Sequence, residues 1–166
     1  MAETGDKTQT EKIFHTARRL LYWAAGLSIG ILLAHVVDLP DHLTEWWGYA
    51  SFYMATGTTQ FLFGFLLLFR PWRYDDTGGE RKNSEYFGRP YYMLGTVIAA
   101  VVILFYIVTR TYGMPFAGPG AGPEKLTPLS LVFLIDNLLL LYCLIRLYVV
   151  TGSMKKEMKL QNEIKN

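Results

Sequence analysis

Four long apolar segments dominate the sequence and limit what the chain can fold into. They are Leu20–Val37, Tyr49–Phe69, Tyr91–Thr109 and Leu129–Val150. Each has about the 17–25 residues that a helix needs to cross a hydrocarbon core of roughly 30 Å. A helix satisfies its backbone hydrogen bonds internally, and the strict alternation that marks a barrel strand is absent. We therefore predict an all-α polytopic membrane protein with four transmembrane helices in an antiparallel bundle.

The composition agrees with insertion into a bilayer and excludes several classes of protein. Hydrophobic residues make up 51% of the chain and charged residues 18%, whereas a soluble domain carries about 25% charged residues. A formal net charge of +2 provides no field suited to nucleic acid. The single cysteine, Cys143, excludes a disulfide within the chain and a site built from several cysteines. We expect the lipid bilayer, and no nucleic acid, among the partners.

The basic residues predict the direction of insertion. Thirteen of the sixteen Lys and Arg residues lie in three segments that four spans place on one side of the membrane. These segments hold Lys7, Lys12, Arg18 and Arg19; Arg70, Arg73, Arg81, Lys82 and Arg89; and Lys155, Lys156, Lys159 and Lys165. Loops rich in Lys and Arg stay in the cytoplasm. We expect a multi-pass protein of the plasma membrane, with cytoplasmic tails at 1–17 and 151–166 and a transmembrane domain at 18–150.

The connection after the first span contains a proline that predicts a break. Pro40 cannot continue the hydrogen-bond ladder and disfavours helix at the preceding residue, so the first span should end near Val37. Proline is also favoured in the first turn of a new helix. We predict a short interfacial helix over Pro40–Trp47, on which His42 and Glu45 are three residues apart and share a face.

Polar residues of three spans should lie in the same leaflet, near the outer surface. His35 stands about a turn below the outer surface, and Arg110 lies at the outer end of the third span. Asp136 lies about 12 Å inward from Pro128 at the helical rise of roughly 1.5 Å per residue. An ionisable residue at mid-bilayer costs roughly 2.5–3.5 kcal/mol. Asp136 should therefore face the bundle and find a partner.

The simplest interpretation of these residues is structural. A pair between Asp136 and Arg110 or His35 would fix the register of the helices. Polar groups in lipid also need hydrogen-bond partners within the protein. The further members of this structural polar cluster are Asp38, Gln60 and Asn137.

Two other interpretations give the same residues a chemical role. In the second, His35 and His42 bind a metal ion. Its third ligand would be a carboxylate, from Glu45, Asp38 or Asp136. Imidazole and carboxylate ligands suit zinc, copper or iron. In the third interpretation, similar residues form a proton or solute relay open to the outside.

Small residues mark where helices can approach one another closely. Gly26, Gly30 and Ala34 stand at four-residue spacing in the first span, and so do Gly95 and Ala99 in the third. Packing inside the bundle and packing against another chain need the same surface, so both uses stay open.

The connection between the third and fourth spans is rich in proline and glycine. The segment Gly113–Pro128 cannot hold a helix and should run extended or turned across the outer surface. Pro128 itself fits the first turn of the fourth span.

One pattern of residues resembles a known group of proteins. The pattern is His35, then Pro40-Asp41-His42-x-x-Glu45-Trp46-Trp47-Gly48-Tyr49, then Gln60, then Thr109-Arg110-Thr111-x-Gly113-x-Pro115. It is similar to a loose group of uncharacterised small four-span integral membrane proteins of bacteria and archaea. The resemblance covers about residues 18–150. It implies the four-span architecture and brings no mechanism with it.

The function that these features favour is non-enzymatic. The chain is small, contains no catalytic motif, and has rows of small residues able to pack against another helix. We expect an accessory or structural subunit of a membrane complex, with other membrane subunits or further copies of the chain as partners. The alternatives are a metal-binding or redox-linked membrane protein and an oligomeric transporter or proton-relay protein.

Overall fold

The residues that the structure describes form four α-helices. The computed structural model describes residues 3–45, 47–73, 87–113, 122–124 and 126–165, with side chains described between 12 and 153 apart from 41–46. The helices are α1 (Glu3–Glu45), α2 (Trp47–Phe69), α3 (Arg89–Thr111) and α4 (Pro128–Lys165), and a 3-10 turn, Pro71–Arg73, follows α2. The described part contains no strand. The predicted all-α fold is confirmed.

Each helix contains a segment that is long and apolar enough to cross a membrane. The segments are Lys12–Pro40, Trp47–Phe69, Arg89–Thr111 and Pro128–Ser153. Each contains one of the predicted spans and extends beyond it at one or both ends. Helical hydrogen bonding continues past the last apolar residue, because polar side chains at the interface can reach water. Four membrane-spanning helices are therefore confirmed by length and composition.

The helix α1 differs from the prediction at both ends. It begins at Glu3, so most of the predicted tail 1–17 is helical, and it continues through Pro40 to Glu45. The separate interfacial helix predicted over Pro40–Trp47 is not found. Proline removes one hydrogen bond and displaces the carbonyl four residues earlier, and a helix can bend around this defect instead of ending.

Glycines of α2 let this helix approach α1 closely. The helix α1 packs on both α2 and α4, and α3 packs on α4. A Cβ atom at Gly57 would lie 2.6 Å from Cδ2 of His35, and one at Gly64 would lie 3.0 Å from the carbonyl oxygen of Ala25. The later residue of α2, Gly64, thus lies beside the earlier residue of α1, Ala25. This is the order expected for antiparallel neighbours.

The two rows of small residues face different surroundings. A Cβ atom at Gly95 would lie 2.2 Å from Cζ of Phe63, and Ala99 is only 1% exposed. The row on α3 therefore packs inside the bundle. A Cβ atom at Gly26 or Gly30 would meet nothing within 4 Å. The row on α1 faces outward at these two positions.

A hydrogen bond between polar side chains crosses the interior of the bundle. Nε2 of Gln60 donates to Oδ1 of Asn137 at 2.8 Å, and Nδ2 of Asn137 donates to the carbonyl of Phe133 at 3.0 Å. Both polar side chains are fully buried. Such a bond contributes on average about 0.6 kcal/mol in a membrane bundle. The bond ties α2 to α4, while Oε1 of Gln60 has no hydrogen-bond partner among the described residues.

The outward faces of all four helices are apolar. One example from each helix is Val37, Leu62, Leu104 and Ile135, which are 69%, 60%, 60% and 57% exposed. A soluble monomer rarely exposes apolar patches of this extent, whereas lipid is a matching solvent for them. The surface therefore agrees with burial in a bilayer.

One end of the bundle collects arginine side chains over tyrosine rings, and we call it the basic end. The guanidinium carbons of Arg18 and Arg70 lie 5.8 and 5.2 Å from the ring centre of Tyr22. That of Arg89 lies 4.2 Å from the ring centre of Tyr148. These are distances at which a cation is attracted to an aromatic face. The positive charges are thereby held at the ends of the apolar helices, away from the site described next.

Candidate functional site

At the opposite end, where α1 and α3 finish and α2 and α4 begin, polar side chains are largely buried. We call it the polar end. Its members are His35 of α1, Tyr53 of α2, Thr109 and Arg110 of α3, Ser130 of α4, and Glu124 of the connection before α4. All four helices contribute, so the site exists only in the assembled bundle.

Glu124 is the centre of the polar end. Its carboxylate is 4% exposed and forms an ion pair with Arg110. The phenol of Tyr53 donates to this carboxylate, with its oxygen 2.9 Å from Oε1 and 2.7 Å from Oε2. The backbone N–H of Glu124 donates to the carbonyl of Thr109 at 3.1 Å. Glu124 therefore ties the connection before α4 to both α2 and α3.

Arg110 is surrounded by groups that stabilise its positive charge. Its side chain is 9% exposed, and the guanidinium carbon lies 4.6 Å from the ring centre of Tyr106. Nη1 lies 3.5 Å from the phenol oxygen of Tyr53 and 3.5 Å from Oγ1 of Thr109. Together with the Glu124 carboxylate, these contacts place the charge between an anion, an aromatic face and two hydroxyl oxygens.

The first turn of α4 is fixed by a reciprocal cap. The N–H of Ser130 donates to Oγ1 of Thr127 at 3.1 Å, and the N–H of Thr127 donates to Oγ of Ser130 at 3.0 Å. This is a capping box in which serine takes the place of the usual Glu or Gln, with Pro128 in the first turn as predicted. The phenol of Tyr106 donates to the same Ser130 oxygen at 3.4 Å. The cap holds the start of α4 against α3, just after Glu124.

His35 packs as a flat ring in the interior. It is 3% exposed, and its ring centre lies 5.1 Å from that of Tyr53 and 4.5 Å from that of Phe133. Gly57 leaves the space that the imidazole occupies. The histidine therefore fills the gap between α2 and α4 beneath the polar end.

Two small cavities lie beside His35. One is lined in part by Thr56 and Val102, and the other in part by Asp38 and Arg110. Each has a volume of about 10 Å³, which is about the least that one water molecule requires. Each cavity therefore has room for about one water molecule.

The structure brings some of the predicted residues together and separates others. His35, Asp38 and Arg110 line one cavity. Arg110 has Glu124 as its ionic partner in place of the predicted Asp136. The other predicted pair, between Asp136 and His35, stays a prediction. Oδ2 of Asp136 is buried and has no hydrogen-bond partner within the described part of the chain.

The structure describes only some of the predicted metal ligands. The side chains of His42 and Glu45 lie outside the described residues. Among the side chains that are described, no group of three His, Cys, Asp or Glu residues is placed to hold a metal ion. The site for zinc, copper or iron stays a prediction.

Two central residues of the polar end are missing from the sequence-based cluster. Tyr53 is one of many aromatic residues in the spans, and Glu124 lies in a segment that its proline and glycine content identifies only as a connection. One signal was available. Glu124 is the single acidic residue between α3 and α4, and Arg110 lies at the end of α3 on the same side of the bundle.

Comparison with known proteins identifies no relative of this chain. No protein-family model, curated protein or solved structure matches it. The resemblance to small four-span prokaryotic proteins therefore stays a prediction. The function has to be argued from the polar end and from the surface of the bundle.

Proposed function

We propose that the protein is a non-enzymatic accessory or structural subunit of a larger membrane assembly. In this proposal it lies in the plasma membrane with both termini in the cytoplasm. One observation carries the proposal: Glu124, Arg110, Tyr53 and Thr109 bond to one another at the polar end. They lock the connection before α4 onto the bundle.

The contacts of Glu124 argue for a structural role. A carboxylate that serves as an acid, a base or an ion ligand has to reach a substrate or ion. Both oxygens of this carboxylate accept from Tyr53, and its charge is balanced by Arg110. The neighbouring cavities have a volume of about 10 Å³ each. These features favour a structural contact that joins helices over a reaction site or a solute pathway.

The basic end supports the proposed orientation. Arg18, Arg70 and Arg89 lie together there, and segments rich in Lys and Arg stay in the cytoplasm. The polar end would then face the outside of the cell.

Labelling of single cysteines tests this orientation. Thr111 is exposed at the polar end and Ser153 at the basic end. In a Cys143→Ser background, a membrane-impermeant maleimide should label Thr111→Cys in intact cells. It should label Ser153→Cys only after the cells are permeabilised. The reverse pattern, or labelling of both variants in intact cells, would contradict the orientation.

Native extraction tests the proposed function. The chain is taken from its own membranes in polymer-bounded nanodiscs and separated by native electrophoresis. We expect it to migrate with another polypeptide in a fixed ratio, and to separate from that polypeptide in denaturing detergent. A chain that is recovered alone, at the same size as the purified chain in synthetic nanodiscs, would overturn the proposal.

A further inference from the structure

Asp136 carries a buried carboxyl oxygen that the bundle does not satisfy. The residue lies within the membrane-crossing segment of α4, and its Oδ2 has no hydrogen-bond donor among the described residues. It stands about 12 Å along α4 from the first residue of the helix. An ionisable group at this depth costs several kcal/mol unless it is paired. Arg110 is already engaged by Glu124.

The carboxyl group lies at the seam between α4 and α1. Leu129, Phe133 and Asp136 recur at the spacing that places residues on one stripe of a helix. Leu129 and Phe133 line a cavity with Ala34 and Asp38 of α1, and Tyr53 and Arg110 line it from α2 and α3. Because α1 packs on α4 and the ring of Phe133 lies 4.5 Å from that of His35, we infer that this stripe runs beside α1. The stripe continues past Phe133 towards the middle of the membrane, and Asp136 is its next residue.

The surface of α1 beside this seam is open. Gly30 lies one turn from Ala34 in the same direction, and a Cβ atom at Gly30 or Gly26 would meet nothing within 4 Å. Their outward neighbours Trp23 and Leu33 are 68% and 65% exposed. The space beside Gly57, Gly64 and Gly95, by contrast, is occupied by other residues of this chain. The notch over Gly26 and Gly30 therefore leaves room for a helix from outside the bundle.

We propose that the groove between α1 and α4 binds a transmembrane helix of a partner protein that carries a lysine or arginine at the depth of Asp136. The inference rests on the proposed function and names the partner's chemistry. The carboxylate would pair with the partner's cation, and the glycines would let the two backbones approach closely.

Charge complementarity favours a different protein over a second copy of this chain. Two copies joined through this face would bring one Asp136 towards the other, which places like charges together. The nearest cation on the same helix, Arg146, is about 15 Å further along α4. The helix α4 of a second copy therefore supplies no cation at the required depth.

Synthetic helices test the inference without knowledge of the natural partner. The purified full chain, labelled with a donor fluorophore, is placed in phosphatidylcholine vesicles with acceptor-labelled Leu/Ala peptides that span the bilayer. One peptide carries a single lysine at the depth of Asp136, a second carries leucine there, and a third carries aspartate. Energy transfer should show the lysine peptide binding about tenfold more tightly than the leucine peptide, as expected for an intramembrane polar pair.

Variants of the groove decide whether Asp136 is responsible. Asp136→Asn should reduce the preference for lysine to less than about threefold, whereas the control Asp38→Asn should keep it. Asp136→Lys should prefer the aspartate peptide. Gly30→Leu, whose Cβ atom would meet nothing within 4 Å in the folded chain, should weaken binding of every peptide. These fold-changes follow from loss or reversal of one intramembrane pair.

Three results would overturn the inference. They are equal binding of the lysine and leucine peptides, a lysine preference that survives Asp136→Asn, and self-association of the chain through this groove that no peptide displaces. If one of these occurs while native extraction still yields a partner, the site is wrong and the proposed function stands. A chain that is recovered alone from its own membranes overturns the function, whatever the peptides do.

Discussion

Replacing Glu124 by glutamine should lower the free energy of unfolding by about 3 kcal/mol, the loss typical when one member of a buried ion pair is removed. Glutamine keeps an oxygen that can accept from Tyr53, so the substitution isolates the effect of charge. The guanidinium of Arg110 would be left 9% exposed without an anionic partner. The expected loss lies at the lower end of the range because Arg110 stands near the end of α3.

Equilibrium unfolding in mixed micelles, titrated with a denaturing detergent and followed by circular dichroism, measures this loss. Arg19→Gln is a suitable control, because Arg19 is exposed and lies in the half of α1 that is distant from the polar end. The control should change the free energy of unfolding by less than about 0.5 kcal/mol. If Glu124→Gln and Arg19→Gln behave alike, the ion pair does not hold the connection to the bundle.

Gly57→Ala should cost about 2 kcal/mol, even though alanine favours helix more than glycine does. The new Cβ atom would lie 2.6 Å from Cδ2 of His35. The imidazole cannot easily move aside, because Tyr53 and Phe133 pack on it with ring-centre distances of 5.1 and 4.5 Å. The helices α1 and α2 would have to separate. Unfolding in the same mixed micelles measures the effect.

Two comparisons separate this steric effect from helix propensity. Gly26→Ala is the matched control, since its Cβ atom would meet nothing within 4 Å. It should be neutral or should raise the free energy of unfolding by up to about 1 kcal/mol. In a His35→Ala background, Gly57→Ala should cost less than about 0.5 kcal/mol, because the colliding ring is gone. An equal cost in both backgrounds would show that the ring is not the obstacle.

The positions of the helices could be predicted from the sequence because hydrocarbon burial leaves so few alternatives. Four apolar runs of membrane-crossing length have to be helices, and each reappears in the structure. The need of Gln60 and Asn137 for partners was predictable for the same reason. Their pairing with each other was not, because it depends on how α2 faces α4 across the interior.

Pro40 shows where a local rule fails. Proline removes one hydrogen bond from a helix, and the rule predicts that the helix ends there. The structure continues α1 to Glu45, because the bonds on either side of the defect can still form.

Glu124 shows the limit of reasoning about ion pairs from sequence. Asp136 was the obvious anion for Arg110 because both lie within or beside apolar spans. The structure instead uses a carboxylate from the connection, with the backbone of Glu124 bonded to Thr109 next to Arg110. A folded connection brings distant residues together in a way that spacing along the chain does not show.

The most direct test of a structural polar end is the free energy of unfolding of the double variant Arg110→Met/Glu124→Gln. Both charges are then absent, and the amide oxygen can still accept from Tyr53. Replacing a buried pair by neutral groups of similar volume is commonly neutral or stabilising, so the double variant should unfold within about 1 kcal/mol of the natural chain. A loss as large as that of Glu124→Gln alone, or larger, would contradict the account.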